Sequence, residues 1–117
     1  MLYAAAQISN LETKDGIALL TLNRPDVLNS IDTTLIEDMR SAVAAVAEDA
    51  EARVLLITGA GRGFCAGADL ADPTGREEGM TIGQGVAHGM TVGFNPMMRE
   101  LYALPKPIIC AVNGVAA

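Results

Sequence analysis

The chain has 117 residues, of which half are hydrophobic, a formal net charge of −6 and a pI near 4.5. This length and composition predict one modest globular domain, or part of one, rather than a disordered chain. A chain this acidic offers no basic surface that could displace phosphate counterions, so we expect neither nucleic acid nor an anionic membrane as a partner. Because we find no signal-peptide pattern and no run long enough to span a membrane, we expect a cytoplasmic protein.

The chain opens with the pattern of an antiparallel hairpin. Residues 6–23 alternate between apolar and polar side chains, and Asp15-Gly16 separates the runs 8–14 and 17–22. A two-residue Asp-Gly linker is typical of a type I′ turn. Asn23-Arg24-Pro25 should end the second strand, because proline has no amide proton for a sheet ladder.

A helix is predicted over residues 33–48. Thr34 and Glu37 have the spacing of a capping box at its start. Apolar residues then recur at helical spacing, at Ile36, Met39, Val43 and Val46. The run 53–58 that follows is almost continuously apolar, as in a strand that is covered on both faces.

The glycine-rich segment GAGRGFCAG at 59–67 is the most unusual part of the sequence. Ala68, Asp69 and Leu70 after it could open a short helix with unpaired amide protons in its first turn. Residues 71–94 have no strong periodicity and predict a surface loop with one helical piece at most. Asn95-Pro96 resembles a helix start, Pro105 a helix end, and residues 108–112 another buried strand.

Three interpretations of the glycine segment follow from the residues. A dinucleotide-binding turn fits poorly, because Ala66 stands at the third glycine position and no acidic ribose partner follows a second strand. A loop that stabilises an oxyanion is the second interpretation, since small residues let a carbonyl approach a backbone amide. The third is a purely structural turn in which glycines supply positive φ angles.

Four features carry a resemblance to a known family. They are IALLTLNRPDVLNS (17–30), RVLLITGAGRGFCAGADL (53–70), LPKPIICAVNGVAA (104–117), and the spacing between these blocks. Together they resemble the crotonase superfamily of enoyl-CoA hydratases and isomerases. The blocks DPTG (72–75) and NPMMRELYALPKPIICAVNGVAA (95–117) look most like the ring-1,2-epoxyphenylacetyl-CoA isomerases. The resemblance covers only the amino-terminal part of such an enzyme.

The resemblance implies an α/β fold, a spiral of repeated strand-strand-helix units that is cut after about two turns, with residues 1–117 as the first part of one core domain. It also implies an acyl-CoA thioester substrate and no further cofactor or metal. Ala68 corresponds to the first backbone amide of the oxyanion hole. Residues that match the segments bordering coenzyme A are Ala66, Gly67, Ala68, Asp69, Leu70 and Ala71 on one side and Arg24, Asp26, Val27 and Leu28 on the other.

Two departures from the family pattern matter. Asp26 stands where many relatives have a basic residue, which leaves Arg62 and Lys106 as alternative cations for the phosphates of coenzyme A. The positions of the second oxyanion amide and of the acid/base carboxylates would follow Ala117. We therefore expect this chain alone to be nearly inactive, and the intact protein to be a homotrimer or hexamer by resemblance.

The remaining reactive residues are expected to have other roles. Asp69 is interpreted as a cap of its own turn, and Asp72, Glu77, Glu78 and Glu100 as solvated charges. His88, the one histidine, should lie at the surface, and Cys65 and Cys110 should be reduced thiols, because no ligand or triad motif accompanies them. A different class of hypothesis is a non-catalytic fragment that only binds or assembles.

Overall fold

The computed structural model describes residues 9–72 and 77–117. The strands are β1 (Ser9–Lys14), β2 (Ile17–Leu22), β3 (Val54–Gly59), β4 (Gly63–Cys65), β5 (Ile108–Ala111) and β6 (Val115–Ala116). The helices are α1 (Thr33–Glu48), α2 (Ile82–Gly89) and α3 (Asn95–Ala103), with a 3₁₀ turn at Pro25–Val27 and a π turn at Met90–Phe94. Within these ranges, none of the helices combines the length and apolar composition that a membrane crossing requires.

The predicted amino-terminal hairpin is confirmed. β1 and β2 are antiparallel, with Lys14 opposite Ile17. The linker residues Asp15 and Gly16 have φ angles of 52° and 82°, and two positive φ angles are what a type I′ turn requires. The twist of this turn matches the twist of the strands, so the local sequence alone determines the hairpin.

The strands form two layers, and each strand-strand-helix repeat contributes to both. The larger sheet has the order β1-β2-β3-β5, and β2, β3 and β5 run parallel. The smaller layer contains the parallel pair β4 and β6, and Ala68 continues it by a parallel bridge to Ile31. Each repeat thus adds one strand to the large sheet and then one short strand or bridge to the second layer, as the predicted α/β spiral requires.

Helix α1 covers one face of the large sheet. Its buried face includes Leu35, Ile36, Met39, Val43 and Val46, the last four as the helical spacing predicted. The predicted bounds of α1 are confirmed, but its predicted capping box is wrong. Asp32 is the N-cap, and its side chain accepts a hydrogen bond of 2.8 Å from the N–H of Leu35. Asp32 directly precedes the helix, so it occupies the cap position before Thr34 can.

The strand interiors are less buried than predicted. Burial alternates along β2 and β3, where Leu20, Leu55 and Ile57 lie in the core, while Val54 and Leu56 on the other face are half-buried. The prediction that β3 is covered on both faces is therefore wrong. β5 is also largely exposed, because it is the edge of the sheet and no strand pairs with its free side among the described residues.

The second helical region differs from the sequence prediction. Residues 82–103 form α2, the π turn and α3 in succession, where the sequence predicted a surface loop with one helical piece at most over 71–94 and a separate helix that starts at Asn95. Asn95 has helical angles (φ −65°, ψ −44°), and its N–H donates to the C=O of Met90. Pro96 has no amide proton to donate, and the π turn before it absorbs the irregularity without ending the helix.

Candidate active site

The glycine segment leads from β3 into β4, not into a helix. This topology excludes the dinucleotide-binding interpretation, which needs a helix N-terminus directly after the glycines. Gly61 and Gly67 have φ angles of 79° and 92°, so the segment does contain the turns that the structural interpretation predicts. These turns set the path of the chain between β3 and Ala68.

Two asparagines that the sequence analysis did not single out hold this segment. Asn29 is fully buried, and its Nδ2 donates to the C=O groups of Ala60 and Gly63 at 3.0 and 2.9 Å. Its Oδ1 accepts from the N–H of Arg24 at 2.8 Å. Asn113 approaches from the other side, where its Nδ2 donates to Gly63 O at 3.2 Å and its Oδ1 accepts from Gly59 N.

The backbone at 66–69 is paired along one side with the segment 28–31. The N–H of Ala66 donates to Leu28 O at 2.9 Å, the N–H of Ile31 to Gly67 O at 2.8 Å, and the N–H of Asp69 to Ile31 O at 2.8 Å. Since the groups on both sides of Ala68 bond to Ile31, the N–H of Ala68 itself points the other way. It donates to no acceptor within residues 9–72 and 77–117, and Ala68 is exposed.

The predicted short helix at Ala68 is wrong. Asp69 instead closes a single turn, in which its Oδ1 accepts from the N–H of Ala71 at 3.0 Å and its C=O from the N–H of Asp72 at 3.2 Å. The carboxylate of Asp72 then accepts from the backbone N–H and the hydroxyl of Thr33, at 2.8 and 3.1 Å. Asp72 is thereby committed to the first turn of α1, so the chain cannot continue as a helix from Ala68.

Arg24 ties the two segments together through its side chain. Both terminal nitrogens lie 3.1 Å from Oδ2 of Asp69, and Nη1 also donates to Ser30 O at 2.6 Å. Asp32 lies 3.4 Å from Nη2. The side chains of Arg24 and Asp69 are only 19% and 17% exposed, so this ion pair is screened less than one at the surface.

The sequence that forms this loop and its surroundings matches a known family. A family model described as Enoyl-CoA hydratase/isomerase matches residues 12–117. The chain belongs to the enoyl-CoA hydratase/isomerase family.

Individual members of the enoyl-CoA hydratase/isomerase family support this assignment. The chain is 47% identical over 108 residues to the 1,2-epoxyphenylacetyl-CoA isomerase of Escherichia coli, an alignment that covers 87% of this chain and 38% of the relative. It is 34% identical over 106 residues to a probable enoyl-CoA hydratase of Rhodobacter capsulatus, covering 91% of this chain and 38% of the relative. The chain thus spans about two-fifths of the length of these relatives.

Solved structures confirm the fold class. The enoyl-CoA hydratase of Bacillus anthracis superposes with a TM-score of 0.80 at 33% identity, over 94% of this chain and 41% of that structure. A probable enoyl-CoA hydratase of Mycobacterium smegmatis gives a TM-score of 0.79 at 30% identity, over 92% of this chain and 41% of that structure. The crotonase-type spiral predicted from the sequence is therefore the fold of this chain.

The residues predicted to border coenzyme A fall into two adjoining segments. Asp26, Val27 and Leu28 belong to or follow the 3₁₀ turn, and Leu28 O accepts the N–H of Ala66. In the other segment Leu70 is 99% exposed, and Ala71 is also exposed. The structure brings the two segments together, and whether they contact coenzyme A stays a prediction.

The two alternative cations have different surroundings. Arg62 is exposed in the glycine segment. The amine of Lys106 donates instead to the C=O groups of Val46 and Asp49, the latter at 2.8 Å, and so caps the carboxyl end of α1. A helix of 16 residues is roughly 24 Å long, and the Ala68 loop is tied to the opposite end of α1. The amine of Lys106 is thus engaged at the end of α1 that lies away from the Ala68 loop.

Two of the acidic residues predicted to be solvated are only partly exposed and have specific partners. Asp72 is bound to Thr33, and Glu100 pairs with Arg40 across α1 and α3, at 2.6 Å from Nη2 and 2.9 Å from Nε. The hydrogen bonds from Arg40 outweigh partial desolvation and hold the pKa of Glu100 below its ordinary range. His88 is a surface histidine, as predicted, with its Nε2 4.0 Å from Glu77.

Proposed function

We propose that this chain provides one half of an acyl-CoA thioester site. The N–H of Ala68 donates to the thioester carbonyl oxygen and stabilises the enolate-like anion that forms when charge moves onto that oxygen. One observation carries the proposal: Ala68 is an exposed residue whose N–H has no acceptor among the described residues, while the amides of Ala66 and Asp69 are bonded. A fixed donor of this kind needs no reorganisation when the charge develops.

Coenzyme A itself is proposed to lie against the segments 24–28 and 66–71, and no other cofactor is needed. The carboxyl end of the chain supports the placement of a second donor. Ala117 N donates to Cys65 O at 2.9 Å, and a Cβ on Gly67 would stand 3.2 Å from Ala117 O. A residue joined to Ala117 in a longer chain would therefore lie beside the Ala68 loop, where a second amide could face the same oxyanion.

For the whole protein we propose isomerisation of an epoxidised or unsaturated acyl-CoA, such as ring-1,2-epoxyphenylacetyl-CoA. The support is the 47% identity to a relative that carries that activity in its name. Hydration of an enoyl-CoA is the second candidate, because several relatives between 34% and 37% identical are named enoyl-CoA hydratases. The intact protein is proposed to be a cytoplasmic homotrimer or hexamer, and the 117 residues alone to be nearly inactive.

A titration followed by amide NMR tests the proposal on the chain itself. Acetyl-CoA carries the thioester carbonyl and free coenzyme A does not, so the difference between the two ligands isolates the carbonyl contact. We expect a downfield shift of the Ala68 amide proton with acetyl-CoA only, and shifts in the segments 24–28 and 66–71 with both ligands. Shifts with neither ligand, together with stable oligomers, would favour the non-catalytic binding or assembly fragment instead.

A further inference from the structure

The ion pair between Arg24 and Asp69 lies one residue from the proposed donor. Asp69 uses its two carboxylate oxygens for different purposes: Oδ1 closes the turn to Ala71, and Oδ2 receives both terminal nitrogens of Arg24. The guanidinium in turn is held by the C=O of Ser30 and by Asp32. Every one of these contacts lies within the segments that flank the bridge between Ile31 and Ala68.

We infer that Arg24 is a positioning residue for the Ala68 amide and acts through Asp69; the functional part of this inference rests on the proposed thioester site. The bridge to Ile31 fixes the loop on one side with two backbone hydrogen bonds. Arg24 adds a charged fork that joins Ser30 to Asp69, the residues next to Ile31 and Ala68. Rotation of the Ala68 peptide would require this fork to open.

The contacts of the Arg24 guanidinium distinguish a direct contact with coenzyme A from a positioning role. If its guanidinium contacted coenzyme A directly, it would have to leave Asp69, Asp32 and Ser30, which surround it here. A direct contact would affect free coenzyme A and acetyl-CoA equally. A positioning role reduces the Ala68 response to the carbonyl oxygen, and it requires Arg24 and Asp69 to act as one unit, so the two single variants should behave alike.

Two single variants and their combination test the inference on the full chain. Arg24→Gln removes the charged fork. Asp69→Asn keeps an oxygen for the N–H of Ala71 and removes the charge, so it remains informative should Arg24→Gln fail to fold. Arg40→Gln is the matched control, because it breaks the bidentate pair with Glu100 between α1 and α3 without touching the loop.

Hydrogen exchange and the acetyl-CoA titration are measured on each variant. We expect protection of the Ile31 and Asp69 amides to fall about tenfold in both single variants, as the loss of a charged hydrogen bond implies, and no further in the double variant. The Ala68 shift with acetyl-CoA should shrink in both single variants, and any change in affinity for free coenzyme A should be the same in Arg24→Gln as in Asp69→Asn. Arg40→Gln should change neither quantity.

Other results would overturn the inference. The inference would fail if exchange protection were unchanged in the single variants, or if the losses were additive in the double variant. It would also fail if affinity for free coenzyme A fell in Arg24→Gln alone. If the Ala68 shift with acetyl-CoA were unchanged in a variant that has lost exchange protection at Ile31 and Asp69, the ion pair would have only a structural role. That result would contradict positioning. Failure of the native chain to show any Ala68 response would refute the proposed function, while the exchange data alone would then decide whether Arg24 fixes the loop.

Discussion

Asn29 and Asn113 donate to the same backbone oxygen, that of Gly63, at 2.9 and 3.2 Å. One precedes helix α1 and the other follows strand β5, so the glycine segment is clamped between the first repeat and the last. This clamp acts together with the positive-φ turns at Gly61 and Gly67 to determine where the chain leaves β4 and where Ala68 stands.

Replacing Asn29 by alanine should lower the free energy of unfolding by about 2–4 kcal/mol, because it removes three hydrogen bonds of a fully buried side chain. The N–H of Arg24 loses its acceptor, Ala60 O loses the bond from Asn29, and Gly63 O keeps only the bond from Asn113. Asn113→Ala should cost about 1 kcal/mol or less, since Asn113 is exposed. Urea unfolding followed by circular dichroism measures both, with Asn10→Ala on the exposed face of β1 as the control. Equal costs at the two positions would contradict the clamp as described.

Two glycines should respond to alanine in opposite directions. At Gly114 a Cβ would collide with the backbone oxygen of Arg62, so Gly114→Ala must displace β6 or the glycine segment and should destabilise the chain by about 1–3 kcal/mol. At Gly83, inside α2, a Cβ meets nothing within 4 Å, and Gly83→Ala should stabilise the helix by up to about 1 kcal/mol. Thermal unfolding compares the two variants, and a destabilised Gly83→Ala would show that α2 is packed more tightly than the structure indicates.

The pair of Arg40 and Glu100 should make stability depend on acid pH. Its hydrogen bonds lower the pKa of Glu100 from the ordinary 4.5, so its contribution is present above that value and is lost as the pH falls through the lower folded pKa. The difference in Tm between the native chain and Glu100→Gln should therefore exist near neutral pH and disappear in acid. It should be small, because the two side chains are 39% and 38% exposed. A difference that grows in acid would contradict the assignment.

The exposed edge at β5 should promote self-association. Ile109 is 55% exposed on a strand whose outer side is unpaired among the described residues. Ile109→Lys places a charge on this edge and should lower the associated fraction in sedimentation velocity. Ser41→Lys, on the exposed side of α1, adds the same charge away from the edge and should leave association unchanged. Equal effects of the two variants would point to net charge as the cause.

The sequence predicts what local chemistry determines. The turn at Asp15-Gly16 and the apolar face of α1 need only neighbouring residues, and both are confirmed. α3 does begin at Asn95, but the prediction that Asn95 is its N-cap is wrong, because Asn-Pro fits the start of a helix as well as a helix that continues through a π turn. Residues 82–94 are helical because they continue directly into α3, although the apolar periodicity of their own sequence is weak.

The site was predictable only in outline. The family blocks led to Ala68, but Asn29, Asn113 and Asp72 form hydrogen bonds with partners 31 to 54 residues away, a pairing that spacing does not reveal. Asp72 has the composition of a loop residue and becomes a cap of α1 only after the chain has folded back. Long-range hydrogen bonds of this kind depend on the folded chain and cannot be predicted from the spacing of residues along the sequence.

The crystal structure of this chain with acetyl-CoA is the most direct test of the central claim. We expect the thioester oxygen about 2.7–3.1 Å from the backbone nitrogen of Ala68, with Arg24 still bound to Asp69. A thioester oxygen that faces solvent or another donor, with Ala68 N left free, would contradict the account.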